Sequence, residues 1–185
     1  MRLFVAVNFP ATLRERLWVA AEPVREMGLP VRWVSAEALH LTLKFLGEVS
    51  EARVGELGEA LEQVVAGARV LPVTIDAFGA FPDAARPSVI WAGILQEPAL
   101  ELLQHGVEIA FAPLGFPPEG RPFRPHITLG RTRRDAPRGA FQGLEKALEQ
   151  MVWNETVTVD GIDLMRSTTR KGGAVYEGIR HGRLS

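Results

Sequence analysis

His40-Leu41-Thr42-Leu43-Lys44-Phe45-Leu46-Gly47 and Pro125-His126-Ile127-Thr128-Leu129-Gly130-Arg131 carry the same four-residue word, His-apolar-Thr-Leu. Each word lies in an apolar run that reads as a strand. A strand turns successive side chains to opposite faces, so His and Thr share one face and the two apolar residues share the other. The apolar pair anchors the strand on a core, and the opposite face offers one imidazole and one hydroxyl. Two such faces brought together supply two proton-transfer groups and two hydroxyl donors, the set that cleavage of a phosphodiester needs without a metal.

The words stand 86 residues apart (126 − 40), and that offset carries other elements onto one another. Leu3–Val7 maps onto Val89–Gly93, the helical stretch Ala11–Met27 onto Glu97–Pro113, Glu51–Gly67 onto Pro137–Trp153, and Val70–Ile75 onto Thr156–Gly161. Each half, about 1–86 and 87–185, reads strand, helix, His-strand, helix, strand. Gly79 to Pro87 is turn-rich and marks the midpoint. No linker separates the halves, so 1–185 is expected to be a single bilobal domain.

Periodicity and breakers place four helices. The first is capped by Asn8 or Thr12 and runs towards Gly28. The second follows Ser50 and stops near Gly67. The third opens at Pro98, and the fourth spans Gly139 to Val152. Strands are expected near 2–8, 40–46, 70–79, 87–95, 125–131, 155–166 and 174–180, with a short extra one over Val31–Val34. The fold class is α+β: two similar lobes around a cleft, antiparallel sheets inside and helices outside.

Composition narrows the function classes. The chain has 46% hydrophobic and 23% charged residues and no cysteine, so disulfide and thiolate chemistry are excluded. A net charge of −1 argues against a general nucleic-acid coat. The N-terminal apolar run is too short for a signal peptide or a membrane span, and a cytoplasmic protein is expected. Charge is uneven: Arg121, Arg124, Arg131, Arg133, Arg134 and Arg138 crowd around the second word against one acid, Asp135. A basic run is ordinarily a solvated loop, but this one brackets a candidate phosphate site.

Histidine titrates near neutrality and can both give and take a proton. Breaking a phosphodiester by water needs a base for the nucleophile and an acid for the departing oxygen, each typically giving about 10²–10⁴-fold. His40 and His126 are the candidates. Thr42 and Thr128 can donate hydrogen bonds to the non-bridging oxygens, and an arginine can add a charged contact. By strand parity Lys44 lies with His40 and Thr42, whereas Phe45 lies with Leu41 and Leu43 and reads as core. Arg131 has the wrong parity, but Gly130 can release the alternation at the strand end, and Arg131 ranks above Lys44 because it belongs to the arginine cluster. His105 and His181 have no partner motif and are assigned nothing. Neither word has an Asp, Glu or Cys at ligand spacing, so no metal or other cofactor is expected.

These motifs, with Arg2–Val7 at the start and Leu164-Met165-Arg166-Ser167 late in the chain, resemble the 2H phosphoesterase superfamily. Within it they are most similar to the RNA 2′,3′-cyclic phosphodiesterases, also called bacterial and archaeal 2′-5′ RNA ligases. The resemblance implies two α+β lobes related by pseudo-twofold symmetry, one His motif from each, across an open active-site cleft. It implies hydrolysis of a 2′,3′-cyclic phosphate at an RNA 3′ end to a 2′-phosphate, as part of RNA processing. It also implies a reversible, ATP-independent 2′-5′ joining activity, as some members have on tRNA halves. Carried over, His40 is the proton donor to the leaving 3′ oxygen and His126 the acceptor that activates water. Thr42, Thr128 and Arg131 bind the phosphate. Lys44, Arg124 and Arg170 are candidate RNA contacts, Arg170 within the loop Ser167–Gly173. The chain is expected to act as a monomer, without a membrane. Two alternatives stand beside this reading. One is a phosphodiesterase for small cyclic nucleotides such as ADP-ribose cyclic phosphate. The other is a non-catalytic module that binds a nucleotide or RNA end.

Overall fold

Nine strands dominate the chain: β1 (Arg2–Asn8), β2 (Val31–Trp33), β3 (His40–Glu48), β4 (Leu71–Phe81), β5 (Val89–Ile94), β6 (His126–Thr132), β7 (Asn154–Val159), β8 (Gly161–Arg170) and β9 (Gly173–Arg183). The computed structural model describes residues 1–185 and joins all nine into one antiparallel sheet, in the order β7-β4-β5-β6-β3-β1-β8-β9. β2 pairs with β6 on the side that also carries β3. The architecture is α+β.

The order is palindromic in role. β4, from the first half of the chain, adds to β5–β6, and β8, from the second half, adds to β1–β3. The two halves therefore share one core of 39 buried residues. The expected strand 155–166 divides at Asp160: β7 stays on β4 while β8 crosses to β1. β4 bends in a matching way, with a register shift between Ile75 and Phe78 and Ala77 in the left-handed region (φ 64°).

Helices α1 (Ala11–Ala20), α2 (Glu22–Arg25), α3 (Val54–Ala66), α4 (Pro98–Phe111) and α5 (Leu144–Gln150) lie against this core. α3 turns Leu57, Leu61, Val64 and Val65 inward, and α4 Leu100, Leu103, Val107 and Phe111, the one-sided spacing of an amphipathic helix. Pro98 opens α4 and Gly67 closes α3, as the breakers imply. Two expectations fail. α1 begins after Pro10 with no side-chain cap; Thr12 lies inside the helix, and the Asn8 amide is used elsewhere. α5 is half the expected length, because Gly139 and Gly143 adopt positive φ (76° and 85°) and hold the preceding segment in turns.

Each His strand carries a bulge at the same place. Between β1 and β3, Val5 faces Lys44 and Ala6 faces Thr42, leaving Leu43 unopposed. Between β5 and β6, Ile90 faces Gly130 and Trp91 faces Thr128, leaving Leu129 unopposed. The extra residue reverses inward and outward alternation from that point on. Leu43 and Lys44 are both buried, as are Leu129 and Gly130, and the next residue, Phe45 or Arg131, emerges on the His side.

Candidate active site

β3 and β6 meet at one register pair, Leu41 with Ile127, both buried in the core. Antiparallel register extended one residue each way sets His40 beside Thr128 and Thr42 beside His126, on the opposite face. All four are half-buried. The structure thus brings together the two His words on a single surface.

The rings are held identically at one nitrogen. His40 Nδ1 lies 2.7 Å from the Ala38 carbonyl, and His126 Nδ1 lies 2.7 Å from the Arg124 carbonyl. A carbonyl only accepts, so Nδ1 carries the proton in both rings and Nε2 is left for chemistry. The Nε2 environments differ. His40 Nε2 is 3.0 Å from Thr42 Oγ1, which donates to it when the ring is neutral. Phe4 and Tyr176 crowd the His40 ring, with centroids at 4.9 and 5.0 Å, whereas Phe81 meets the His126 ring edge-on at 5.2 Å. Burial pushes both imidazoles below the usual 6.5, and the Arg131 guanidinium adds to the push on each; the Ala38 and Arg124 carbonyls oppose it. His126 also holds down His40. Both shifts favour the neutral imidazole in the free protein, and an anion that neutralised Arg131 would make either easier to protonate.

Arg131 joins the site because the Leu129 bulge corrects its parity, and it is exposed. Lys44 does not join it. The Leu43 bulge turns it inward to 3% exposure, where Nζ meets Glu108 Oε2 at 2.5 Å and the Pro117 carbonyl at 2.9 Å. Gln104 Nε2 holds the other Glu108 oxygen at 3.0 Å. Lys44 is a structural cation that ties β3 to α4 and to the segment leading into β6, not an RNA contact. The same bulge overturns the reading of Phe45 as core: it is 61% exposed, its ring 6.2 Å from that of Phe4 on the His40 side. Arg124 serves His126 through its carbonyl while its side chain is exposed. Arg170 sits at the tip of the β8–β9 hairpin, five residues beyond Met165, the partner of Phe4. It is not part of the cluster around the two rings.

Sequence reasoning missed the aromatic wall of Phe45 and Tyr176, and the small buried patch of Phe4, Ala6 and Met165 beneath it. Strand alternation along β1 alone exposes the signal, since Phe4, Ala6 and Asn8 share the face turned from Leu3, Val5 and Val7. It also missed a polar chain beside that patch. Asn8 Nδ2 donates to Asp163 Oδ2 at 2.7 Å, and His181 Nδ1 lies 2.6 Å from Asp163 Oδ1. No three His, Cys, Asp or Glu side chains converge on a point that could hold a metal ion. No helix is long and apolar enough to cross a membrane.

This geometry has relatives. The sequence profile of the 2′-5′ RNA ligase superfamily matches residues 13–171. An RNA 2′,3′-cyclic phosphodiesterase of Thermotoga maritima is 31% identical, over 96% of this chain and 92% of its own. Another from Aeropyrum pernix is 33% identical, over 88% and 91%. Among solved structures, Escherichia coli LigT complexed with 3′-AMP superposes with a TM-score of 0.78 at 28% identity, covering 100% of this chain and 98% of that one.

Proposed function

The chain belongs to the 2′-5′ RNA ligase superfamily, and from that membership and its paired histidines we propose that it is an RNA 2′,3′-cyclic phosphodiesterase. The observation that carries the reading is the pair of imidazoles with Nδ1 pinned to a carbonyl two residues upstream, on one face around the Leu41–Ile127 contact.

In this reading the cyclic phosphate lies over that contact. Water attacks phosphorus as His126 Nε2 takes its proton. The P–O3′ bond breaks, and His40 Nε2, protonated in the complex, delivers a proton to O3′. The product is a 2′-phosphate and a free 3′-hydroxyl, and the two imidazoles have exchanged protonation states. Thr42, Thr128 and Arg131 bind the non-bridging oxygens, with Arg131 supplying the charged donor. Thr42 exchanges its hydrogen bond to His40 for one to phosphate. The asymmetry of the surroundings favours this direction. Exposed Phe45 and half-buried Tyr176, backed by buried Phe4, stand on the His40 side, where a stacked base would keep the ribose, and hence O3′, within reach of His40. With an RNA 5′-hydroxyl in place of water as the nucleophile, the same transfer forms a P–O5′ bond as P–O3′ breaks and joins two RNA ends through a 2′-5′ linkage; run backwards, it cleaves that linkage and regenerates the cyclic phosphate.

The duplicated pattern 1–86 and 87–185, read as one bilobal monomer with the site between its lobes, accounts for the central order β5-β6-β3-β1, whereas the outer counterpart of β4 is β8 rather than the β7 that the offset implies. A cytoplasmic location suits an enzyme of RNA ends. The test is product analysis on a short RNA bearing a terminal 2′,3′-cyclic phosphate, with chelator present. A 2′-phosphate is expected; a 3′-phosphate, no turnover, or loss of turnover on chelation refutes the assignment.

A further inference from the structure

Arg131 has a neighbour that the reaction does not account for. In the β2–β6 pairing Arg32 stands directly opposite Arg131. Residues directly opposite in an antiparallel pair project from the same face, and like charges so placed are unfavourable. The face is set by what lies behind it. Val31 is buried, Trp33 packs on the core, and a Cβ on Gly130 would come within 2.5 Å of Val31 Cγ1 and 2.8 Å of the Trp33 ring. Val31, Trp33 and Gly130 therefore occupy the core side, and Arg32 and Arg131 the side that bears the two histidines. Both arginines are exposed, and neither forms an ion pair with any carboxylate of the protein.

The charge count decides what could cover them. A 2′,3′-cyclic phosphate is a diester with a single negative charge, which Arg131 alone matches. A second guanidinium beside it leaves one positive charge unanswered. From Thr128 to Arg131 is roughly 10 Å of strand, so the arginine pair lies beyond the reacting phosphorus along β6. Resting on the phosphodiesterase reading, we infer that Arg32 binds the phosphodiester on the 5′ side of the terminal nucleoside. The preferred substrate is then an RNA chain rather than a cyclic mononucleotide. Arg32 is a specificity residue that contacts the penultimate phosphate.

The experiment compares wild type and Arg32→Gln on three substrates: a nucleoside 2′,3′-cyclic phosphate with a free 5′-hydroxyl, the same compound with a 5′-phosphate, and a dinucleotide ending in a cyclic phosphate. Wild type is expected to favour the dinucleotide over the 5′-hydroxyl compound by about tenfold in kcat/KM, the scale of one charged contact. In Arg32→Gln that ratio should collapse towards one, and the dependence of log(1/KM) on log[salt] for the dinucleotide should become shallower by about 1. A ratio equal in variant and wild type overturns the inference. A 5′-phosphate compound that gains as much as the dinucleotide, with the gain lost in Arg32→Gln, supports the phosphate contact but overturns the preference for an RNA chain. Wild type that turns over all three substrates equally removes the chain preference and leaves the phosphodiesterase reading standing. Wild type that turns over none removes both.

Discussion

β3 and β6 are built alike and finished differently. Each carries His, a buried aliphatic, Thr and a bulged Leu, and each pins its imidazole to a carbonyl two residues upstream. Beyond the bulge they part. β3 continues with buried Lys44 and exposed Phe45; β6 continues with Gly130 and exposed Arg131. The backbone repeats, so two proton-transfer groups arrive at one surface from related directions. The side chains after the bulge do not repeat, so one end of the site is aromatic and the other cationic. A symmetric scaffold of this kind suits the asymmetric reaction proposed for it, in which one histidine faces the sugar and the other water.

The sharpest way to break that comparison is to remove each imidazole in turn. His40→Ala and His126→Ala should each lower kcat on an RNA cyclic phosphate by about 10²–10⁴-fold. On a phosphodiester with a nitrophenolate leaving group, which departs without a proton, the His40 variant should recover much of its rate and the His126 variant should not. Equal recovery in both would mean that the two ends do not differ in role.

The residues after the bulges give the next effects. Lys44→Met leaves the Glu108 carboxylate buried without its cation and should cost about 3–5 kcal/mol of stability in denaturant titration. Adding Glu108→Leu should restore most of it, since the pair is replaced by apolar contacts. A Lys44→Met protein as stable as wild type would show that the pair is not buried in solution.

Arg131→Gln removes the charge that depresses both histidines. Burial remains, so their pKa values should rise towards 6.5 without reaching it. In the free enzyme the pH optimum of kcat/KM should lie on the acid side of 6.5 and move upward in the variant. kcat/KM itself should fall by about 10- to 100-fold, the loss of one or two charged hydrogen bonds. Histidine titration by NMR checks the direction: midpoints that stay or fall would place Arg131 away from the rings.

Phe45→Ala gives the smallest change. An aromatic side chain left 61% in water contributes little to the fold, so stability should move by less than about 1 kcal/mol. KM should nevertheless rise several-fold, in keeping with about 1–3 kcal/mol for base–aromatic stacking. Unchanged KM would remove the aromatic end of the comparison.

The elements legible in the chain were those set by neighbours in sequence. The two His words, the short strand over Val31–Val34, the helix opening at Pro98 and the stop at Gly67 all follow from alternation, periodicity or a residue that cannot continue a helix. Among the site residues, what failed failed at the bulges. Parity counted straight through Leu43 put Lys44 on the cleft and Phe45 in the core, and both are reversed. Nothing in Leu43-Lys44-Phe45-Leu46 marks an inserted residue. The bulge exists because β1 and β5, distant in sequence, pair with only some of the residues offered to them. Arg32 escaped notice for the same reason, since an exposed arginine on a three-residue strand acquires meaning only when Arg131 is found across from it.

Local chemistry thus chose the histidines, their hydroxyl companions and the strands that bear them, because a period of two is written into consecutive side chains. The meeting of Leu41 with Ile127, the exchange of β4 and β8 between the halves, and the division into an aromatic and a cationic end came from long-range pairing. Hydrogen-bond register between strands remote in sequence is settled by the packing of the shared core, which no single segment encodes.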